Sequence, residues 1–250
     1  MNTLTPRGDA EPPAEPPAEP PADARPLPAA VLWDMDGTIV DSEPDWIAAE
    51  TELLARHGVG WSHEQALALV GSALPDSGRV LAAELAAVGV VVDPVDIIEE
   101  LVTAVAARTA AAVVWRPGAL DLLRAVHAAG IPCALVTMSF RRQAQVVADR
   151  VPGTFSVLVT GDEVSRGKPD PEPYLRAAEL LGVPAQDCVA VEDSLTGLAS
   201  AEAAGCVVLA CPHLVEIPAA PRRNRVASLA DVDLDLLGRM VNGDLVDRLT

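Results

Sequence analysis

Six polar side chains follow directly on three short apolar runs that have the character of buried strands. Asp34 and Asp36 follow AVLW (30–33), Thr137 and Ser139 follow CALV (133–136), and Glu192 and Asp193 follow CVAV (188–191). Ligands bind at the carboxyl ends of the strands in an open parallel sheet, so we expect these side chains to gather at one edge. Four carboxylates so placed cannot all stay ionised without a cation. Hard oxygen ligands suit Mg²⁺, which usually takes one or two carboxylates together with phosphate oxygens.

Lys168 is the only lysine among the 18 basic residues of the chain, in a sequence that otherwise uses arginine. It lies in SRGKPDPEPY (165–174), shortly after the strand-like run SVLV (156–159) and the acidic turn that follows it. An ammonium group is a compact, strongly hydrated point charge, whereas a guanidinium group is a planar fork. We interpret Lys168 as a point charge that clamps the phosphoryl group held by the metal.

Each of these residues also has a purely structural interpretation. A lone aspartate in a turn usually caps it, and Asp-Gly is an ordinary turn dipeptide. A lysine before Pro-Asp is usually a solvated loop residue. Their combination at the ends of adjacent strands favours a functional site over independent structural roles.

The elements that must position these side chains form an alternating pattern of strands and helices. Two further strand-like runs are SVLV and CVVLA (206–210), and none of the five runs alternates polar with apolar residues. Such runs are typical of strands buried on both faces of a parallel sheet. Helical patterns over 119–130, 171–182 and 194–205 separate the later runs. The sequence therefore predicts an α/β fold with a doubly wound parallel (Rossmann-like) sheet.

The interval between the first two strands is too long for a simple crossover. Residues 42–114 contain several helical patterns and predict an all-helical cap domain inserted after the first strand. The α/β core domain then comprises residues 29–41 and 115–250. Residues 1–28 contain EPPAEPPAEPPA (11–22) and predict a disordered, solvated Pro-rich tail, with a ligand for a proline-recognition domain as the alternative.

Composition limits the classes of partner. Half of the 250 residues are hydrophobic, and the formal net charge is -18, so nucleic acid and anionic membrane surfaces are not expected partners. We find neither an apolar run of transmembrane length nor the pattern of a signal peptide. The four cysteines form no CxxC pair, which favours reduced thiols in a cytoplasmic protein. The pattern leaves the oligomeric state unknown.

Four motifs resemble those of the haloacid dehalogenase-like (HAD) superfamily and occur in that family's order. They are DMDGTIVDSE (34–43), the strand-end Thr137, GKPDPEPY (167–174) and VEDS (191–194). The resemblance spans the chain from about residue 29 to the C-terminal region. It implies that Asp34 is the nucleophile, which forms an aspartyl-phosphate, and that Asp36 is the general acid and then base.

The resemblance also implies how the remaining residues hold the phosphoryl group and the metal. Thr137 would bind phosphoryl oxygens, with help from backbone N–H groups of Gly37 and Met138 and from Ser139. Lys168 would pair with Asp34 and the phosphoryl group. The implied Mg²⁺ ligands are Asp34, the backbone carbonyl of Asp36, Glu192 and Asp193.

Two branches of the superfamily are distinguished by single positions. Dehalogenases resemble the chain at the nucleophile but lack the second aspartate, Asp36, which argues against dehalogenation. Phosphomutases of the β-phosphoglucomutase type carry a cap histidine where this chain has Trp46. Their cap arginine falls on Leu74, although Arg79 is close by. We therefore expect a Mg²⁺-dependent phosphatase acting on a small-molecule phosphate ester, of the sugar phosphate or phosphoglycolate type, with a sugar phosphomutase as the alternative.

Other function classes fit less well. Phosphoaspartate signalling receivers lack the helical insert and the DxDGT spacing, and a catalytically silent scaffold would not need every catalytic position filled.

Trp46, Trp61 and Arg79 are candidates to face the site from the cap, and Arg141 or Arg142 could reach substrate from the core.

The C-terminal region carries two further expectations about structure. Residues 211–226 are expected to form a long loop with a basic cluster, which would border the active site or wrap the surface. Residues 231–249 are expected to form a closing amphipathic helix.

Overall fold

Six parallel strands form one sheet in the order β3-β2-β1-β4-β5-β6. The computed structural model describes residues 26–69 and 72–249. The strands are β1 Ala30–Trp33, β2 Cys133–Val136, β3 Val157–Val159, β4 Cys188–Glu192, β5 Val207–Ala210 and β6 Arg223–Arg225. The helices are α1 Glu43–Ala55, α2 His63–Leu67, α3 Leu74–Ala87, α4 Pro94–Ala111, α5 Ala119–Ala128, α6 Arg141–Ala148, α7 Glu172–Leu181, α8 Leu195–Ala203 and α9 Leu234–Val241. The predicted doubly wound parallel sheet is confirmed.

The central strands have no solvent face, which explains why their sequences do not alternate. Every residue of β1, β2 and β4 is buried. Val31 and Trp33 of β1 contribute to one apolar cluster, and Ala30 and Leu32 contribute to another. Since successive side chains of a strand point to opposite faces, these are the cores above and below the sheet.

Helices α1 to α4 follow β1 and have an apolar core of their own. Its buried members are Ala49, Leu53, Leu54, Leu81, Leu85, Ile97, Leu101 and Val105. Local signals in the sequence define where these helices begin. Ser62 accepts from the backbone N–H of Gln65 in a capping box at α2, and Asp93 accepts from Val95 at the start of α4. A helical insertion after the first strand is therefore present, and its domain boundaries stay a prediction.

The C-terminal part of the chain differs from two expectations. The sequence predicts a loop over 211–226, but Arg223–Arg225 forms the edge strand β6 beside β5. The strand RNR contains no apolar residue, and its central Asn224 donates to the carbonyl oxygen of Val208. The helix expected over 231–249 covers only Leu234–Val241, and Asp247 instead forms a bridge with Arg225.

Three other expectations concern the ends of the chain, the thiols and membranes. The predicted tail lies outside the described residues except for its last three, 26–28. Cys133, Cys188, Cys206 and Cys211 are all free and buried. None of the described helices is long and apolar enough to cross a membrane.

Gly118 brings the chain into α5 through a left-handed backbone conformation, with φ +81. A Cβ atom there would collide with the backbone of Leu229 and Ala230. We expect Gly118→Ala to lower the free energy of unfolding by about 3 kcal/mol, because backbone strain and overpacking add. Gly130 also has a positive φ of +72, but no atom lies within 4 Å of the place that a Cβ atom would occupy, so Gly130→Ala should cost only about 1 kcal/mol. Urea denaturation of both variants measures the difference, and equal losses would contradict the packing argument.

Candidate active site

Lys168 lies at the centre of the carboxyl edge of the sheet, where its ammonium group has three acceptors. Nζ is 2.7 Å from Asp34 Oδ1, 2.7 Å from Glu192 Oε1 and 2.9 Å from the carbonyl oxygen of Val136. Only 5% of its side chain is exposed. An ammonium group has three donors, so the residue is fully engaged by groups from β1, β2 and β4.

Tyr174, from the first turns of α7, completes the surroundings of this lysine. Its hydroxyl donates to Glu192 Oε1 at 2.6 Å, and Lys168 Nζ lies 5.1 Å from the centre of its ring. Burial alone would lower the pKa of Lys168, but the charges of Asp34 and Glu192 raise it above its ordinary value. The ammonium group is therefore charged, and it bridges two carboxylates.

Asp34, Glu192 and Asp193 form a buried cluster of carboxylates that could hold a metal ion. One oxygen of each lies within 4.8 Å of the others. Burial and the charge of Glu192 raise the pKa of Asp34 to about 7, although Lys168 opposes the shift. Burial and the charges of Asp34 and Glu192 raise the pKa of Asp193 well above its ordinary value. A single ammonium group does not neutralise three carboxylates, so the donor set fits a hard divalent cation.

The backbone around residue 37 approaches Asp193 closely. A Cβ atom on Gly37 would collide with the carboxylate of Asp193. Thr38 Oγ1 donates to Asp193 Oδ1 at 3.3 Å. The Gly-Thr pair that follows the two aspartates of the first motif thus supports the third carboxylate of the cluster.

The carboxylate of Asp36 lies outside this cluster and is held by four side chains. Ser42 Oγ donates to Oδ1 at 2.5 Å and Ser139 Oγ donates to Oδ2 at 2.7 Å. Thr137 Oγ1 and Gln143 Nε2 lie farther from the carboxylate, at 3.2 and 3.3 Å. Among the described residues, the side chain of Asp36 is therefore not one of the clustered metal-ligand candidates, whereas its backbone carbonyl remains the implied ligand.

A cavity of about 100 Å³ separates these strand-end residues from the helical insertion. On the sheet side it is lined by Asp34, Asp36, Thr137, Met138, Ser139, Lys168, Asp193, Ser194, Thr196 and Gly197. On the other side it is lined by Glu43, Trp46, Ile47, Glu50, Ala66, Leu69, Ser72, Leu74, Ser77, Ile98 and Leu101. Of the residues that the sequence predicted for the site, Gly37 and Glu192 do not line it, because they lie behind Asp193 and Lys168 respectively.

Of the tryptophans and arginines that the sequence suggested could reach the substrate, only one lines the cavity. Trp46 lines the cavity, while Trp61 supports it by donating to Glu50 Oε2 at 3.0 Å. Arg79 is exposed and pairs with Asp76. Arg141 pairs with Glu163, and Arg142 donates to Glu99 and Thr103 of α4. These three arginines do not line the cavity.

Sequence reasoning missed the polar residues on the helical side of the cavity. Glu43, Glu50 and Ser77 are buried, with 8%, 5% and 5% of their surfaces exposed. Glu43 and Glu50 are seven residues apart, which places them on one face of α1. The spacing of Glu43 and Glu50, with Trp46 between them, could have indicated in the sequence that one face of α1 is directed at the site.

The pKa values of Glu43 and Glu50 are both raised. Burial and the charges of Asp36 and Asp34 raise the pKa of Glu43 to about 8. Burial raises the pKa of Glu50 to about 7, against the lowering effect of the hydrogen bond from Trp61. The helical side of the cavity therefore carries two carboxyl groups that resist ionisation.

A family model described as haloacid dehalogenase-like hydrolase matches residues 28–205. Hexitol phosphatase A of Escherichia coli (strain K12) is 36% identical over 227 residues, which cover 86% of this chain and 96% of that protein. The N-acetylmuramic acid 6-phosphate phosphatase of Pseudomonas aeruginosa is 36% identical over 182 residues, which cover 70% of this chain and 78% of that protein.

Solved structures have the same architecture. CbbY from Rhodobacter sphaeroides in complex with phosphate superposes with a TM-score of 0.70 at 28% identity, covering 84% of this chain and 100% of that one. A β-phosphoglucomutase from Clostridium difficile superposes with a TM-score of 0.71 at 20% identity, covering 86% of this chain and 98% of that one. The second likeness shows the fold alone.

Replacing Lys168 tests whether the site needs a point charge. We expect Lys168→Arg to lower the free energy of unfolding by about 3 kcal/mol, because a planar fork cannot reproduce three convergent contacts in a buried site. Arg166 is two residues away with a side chain 72% exposed, so the reciprocal change Arg166→Lys should alter stability by less than about 0.5 kcal/mol. Chemical denaturation compares the two, and a stable Lys168→Arg protein would contradict the geometry.

Glu50 should make stability depend on pH. Its pKa is raised by folding, so its contribution is fully present below the unfolded value of 4.5 and is lost as the pH rises through about 7. In metal-free buffer, the free energy of unfolding of the wild-type protein should fall between pH 5 and pH 8. In Glu50→Gln we expect this fall to be smaller by roughly 2 kcal/mol. Glu64 is an exposed glutamate of α2, and Glu64→Gln should leave the slope unchanged. An unaltered slope for Glu50→Gln would contradict the assignment.

Proposed function

The chain belongs to the haloacid dehalogenase-like hydrolase family, and from that premise we propose that it is a Mg²⁺-dependent phosphatase of small-molecule phosphomonoesters. Substrates of the sugar phosphate or phosphoglycolate type would be hydrolysed through an aspartyl-phosphate intermediate. One observation carries the proposal: Lys168 bridges Asp34 and Glu192 and lines a cavity together with Asp34 and Asp193. Phosphoryl transfer needs positioning and charge neutralisation of this kind.

The carboxylates of Asp34, Glu192 and Asp193 would hold Mg²⁺, together with the backbone carbonyl of Asp36. All three carboxylates are hard oxygen donors within reach of one ion. When bound, the ion offsets negative charge on the carboxylates and on the phosphoryl oxygens. The family to which the chain belongs and the buried acidic cluster support this assignment.

The first chemical step is nucleophilic attack by Asp34. A carboxylate oxygen of Asp34 forms a bond to phosphorus, and the bond between phosphorus and the ester oxygen breaks. Asp36, in its protonated form, donates a proton to the departing alkoxide, so that an alcohol leaves. Asp34 and Asp36 both line the cavity, as this step requires.

The second step returns the enzyme to its starting state. Asp36, now a carboxylate, takes a proton from a water molecule whose oxygen attacks phosphorus, and the bond from phosphorus to Asp34 breaks. Inorganic phosphate leaves. The sum of the two steps is ester plus water giving alcohol plus phosphate. Ser42 and Ser139 hold the Asp36 carboxylate in the structure, so it must exchange these bonds to reach the leaving oxygen.

The remaining predicted residues would hold the phosphoryl group. Lys168 supplies a positive charge next to the nucleophile, which keeps Asp34 ionised and attracts the anion. Thr137, Met138 and Ser139 line the cavity beside it, where hydroxyl and backbone N–H groups can donate to phosphoryl oxygens. The structure does not favour the role implied for Gly37, because its backbone N–H donates to the carbonyl oxygen of Val40 at 2.8 Å and the residue does not line the cavity.

A phosphatase is favoured over a phosphomutase by two residues of the cavity wall. Trp46 occupies the position where phosphomutases of the β-phosphoglucomutase type carry a histidine. Leu74 occupies the position of the cap arginine of those phosphomutases. Arg79, the nearest substitute, is exposed and paired with Asp76. Among the described residues, the helical wall of the cavity has no cation that could hold the second phosphate of a sugar bisphosphate.

We also propose a cytoplasmic protein without nucleic-acid or membrane partners. Four free, buried cysteines support a reducing compartment. The net charge of -18 opposes binding to polyanions.

The decisive measurement is phosphate release from a panel of phosphomonoesters with and without Mg²⁺. We expect turnover that requires the ion and that falls by at least about 1,000-fold in Asp34→Asn, because the amide cannot act as the nucleophile. Asp45→Asn is a control on a partly exposed aspartate of α1 that does not line the cavity, and it should retain activity. Metal-independent turnover, or turnover retained in Asp34→Asn, would contradict the mechanism.

Hexose phosphates separate the two candidate activities. Incubation with β-glucose 1-phosphate and a trace of the 1,6-bisphosphate should release phosphate without forming glucose 6-phosphate. The products can be followed by phosphorus NMR. Accumulation of the isomer at a rate above that of phosphate release would establish the mutase instead.

A further inference from the structure

The helical side of the cavity combines two carboxyl groups with apolar side chains, and it has no cation among the described residues. Resting on the proposed phosphatase activity, we propose that Glu43, Glu50 and Ser77 bind hydroxyl groups of the substrate. They would select phosphate esters of uncharged polyols or sugars and reject esters that carry a second anionic group. This selects the sugar phosphate type of substrate, with its several hydroxyl groups, over the phosphoglycolate type.

Glu43 is a buried carboxyl group that lacks a hydrogen-bond partner among the described side chains. It is 8% exposed, lines the cavity and makes no side-chain hydrogen bond with the described residues. Its carboxyl oxygens are not among the fully buried atoms without a partner, so they are open to the cavity, where a ligand or a water molecule can bond to them. Glu43 is the first residue of α1 and lines the same cavity as Asp34 and Asp36, so it can meet the part of the substrate next to the phosphate.

Ser77 is a second unpartnered group, and it comes from a different helix. It lies in α3, is 5% exposed, lines the same cavity and makes no side-chain hydrogen bond with the described residues. Two unpartnered polar groups on separate helices face one space. Their common orientation indicates a binding surface rather than an isolated packing defect.

Glu50 is held in place but retains capacity for a ligand. Its Oε2 accepts from Trp61 Nε1 at 3.0 Å, and no hydrogen bond engages its Oε1 among the described residues. A carboxyl group fixed by one bond offers its other oxygen at a defined position. The hydrogen bond from Trp61 thus preorganises the carboxyl group of Glu50 as an acceptor for a ligand.

The surrounding apolar groups complete the match to a polyol. Trp46 and Ile47 of α1 line the cavity between the two glutamates. A polyol or sugar chain presents C–H groups between hydroxyls, so it can contact these side chains while its hydroxyls bond to the carboxyl groups. The carboxylate of phosphoglycolate, or a second phosphate, would instead meet carboxyl groups with no compensating cation.

Substrate ranking with the wild-type protein is the first test, and it needs no variant. We expect kcat/KM for sorbitol 6-phosphate to exceed that for 2-phosphoglycolate and for fructose 1,6-bisphosphate by at least about 10-fold, because the carboxyl groups can bond hydroxyls, whereas a second anion buried there would meet no cation. Glucosamine 6-phosphate tests whether the glutamates bind an ammonium group. A preference for the amine over glucose 6-phosphate, or for either ester with a second anionic group over sorbitol 6-phosphate, would overturn the proposal.

Substitutions then assign the selectivity to the named residues. We expect Glu43→Leu and Ser77→Ala each to lower kcat/KM for sorbitol 6-phosphate by about 10-fold, the equivalent of one hydrogen bond to a partly charged group. Glu43→Gln keeps hydrogen-bonding capacity, so the ratio of kcat/KM for sorbitol 6-phosphate to that for 2-phosphoglycolate should stay close to the wild-type ratio. Glu64→Gln on exposed α2 is the matched control and should keep the wild-type ratio.

p-Nitrophenyl phosphate separates failure of this proposal from failure of the phosphatase assignment. It carries neither hydroxyls nor a second anion on its leaving group, so its Mg²⁺-dependent hydrolysis tests the chemistry alone. If it is hydrolysed and the ratios of all variants equal that of the wild type, the role of Glu43 and Ser77 is wrong. Circular dichroism shows that each variant is folded, and Ser77→Ala, the smallest change, keeps the test possible if Glu43→Leu does not fold.

Discussion

The ammonium group of Lys168 is shared by carboxylates that would otherwise repel one another at the edge of the sheet. Asp34 and Glu192 each lie 2.7 Å from it. Breaking a buried pair of this kind leaves an uncompensated charge, which costs more than the pair contributes. The third carboxylate of the cluster, Asp193, is left without an ammonium partner. The same imbalance that makes the apoprotein electrostatically strained makes the site receptive to a divalent cation and, through it, to a phosphate.

The parallel sheet makes this concentration of charge possible. Trp33 of β1 is in register with Val191 of β4 and with Leu135 of β2. The residues that follow these partners therefore emerge side by side at one edge. Asp34, Thr137, Glu192 and Asp193 lie at the ends of strands that are buried on both faces, so the packing of the sheet fixes their positions. The insertion of α1 to α4 immediately after β1 then places a second wall over the same edge.

The two walls of the cavity have different chemistry, and this divides the work between them. The sheet side carries the proposed nucleophile, the acid–base candidate and the lysine, which are suited to any phosphate ester. The helical side carries Glu43, Glu50, Ser77 and apolar groups, which we propose distinguish what the phosphate is attached to. Arg142 of α6 joins the walls by donating to Glu99 and Thr103 of α4. Chemistry and selectivity can therefore change separately, because they reside on separate elements.

The sequence alone determined the elements whose signal is local. Apolar runs without alternation identified strands β1 to β5, and the polar residues that follow them identified Asp34, Thr137, Lys168, Glu192 and Asp193 as neighbours. Parallel strands end at a common edge whatever the details of packing, which is why that inference needed no coordinates. The edge strand β6 escaped notice because its polar sequence, Arg223–Arg225, is stabilised by pairing with β5 and not by an apolar core.

Only the tertiary structure decided which residues of the insertion face the site. Trp46, Trp61, Arg79 and Arg142 are all suitable by type, yet only Trp46 lines the cavity. A helix pattern shows which residues share a face but not which neighbour that face meets. The burial of Glu43 without a partner depends on contacts between α1, α3 and the sheet, which are distant in sequence. For that reason the sequence predicted which residues meet at the carboxyl edge, whereas only the fold showed which residues of the insertion line the cavity.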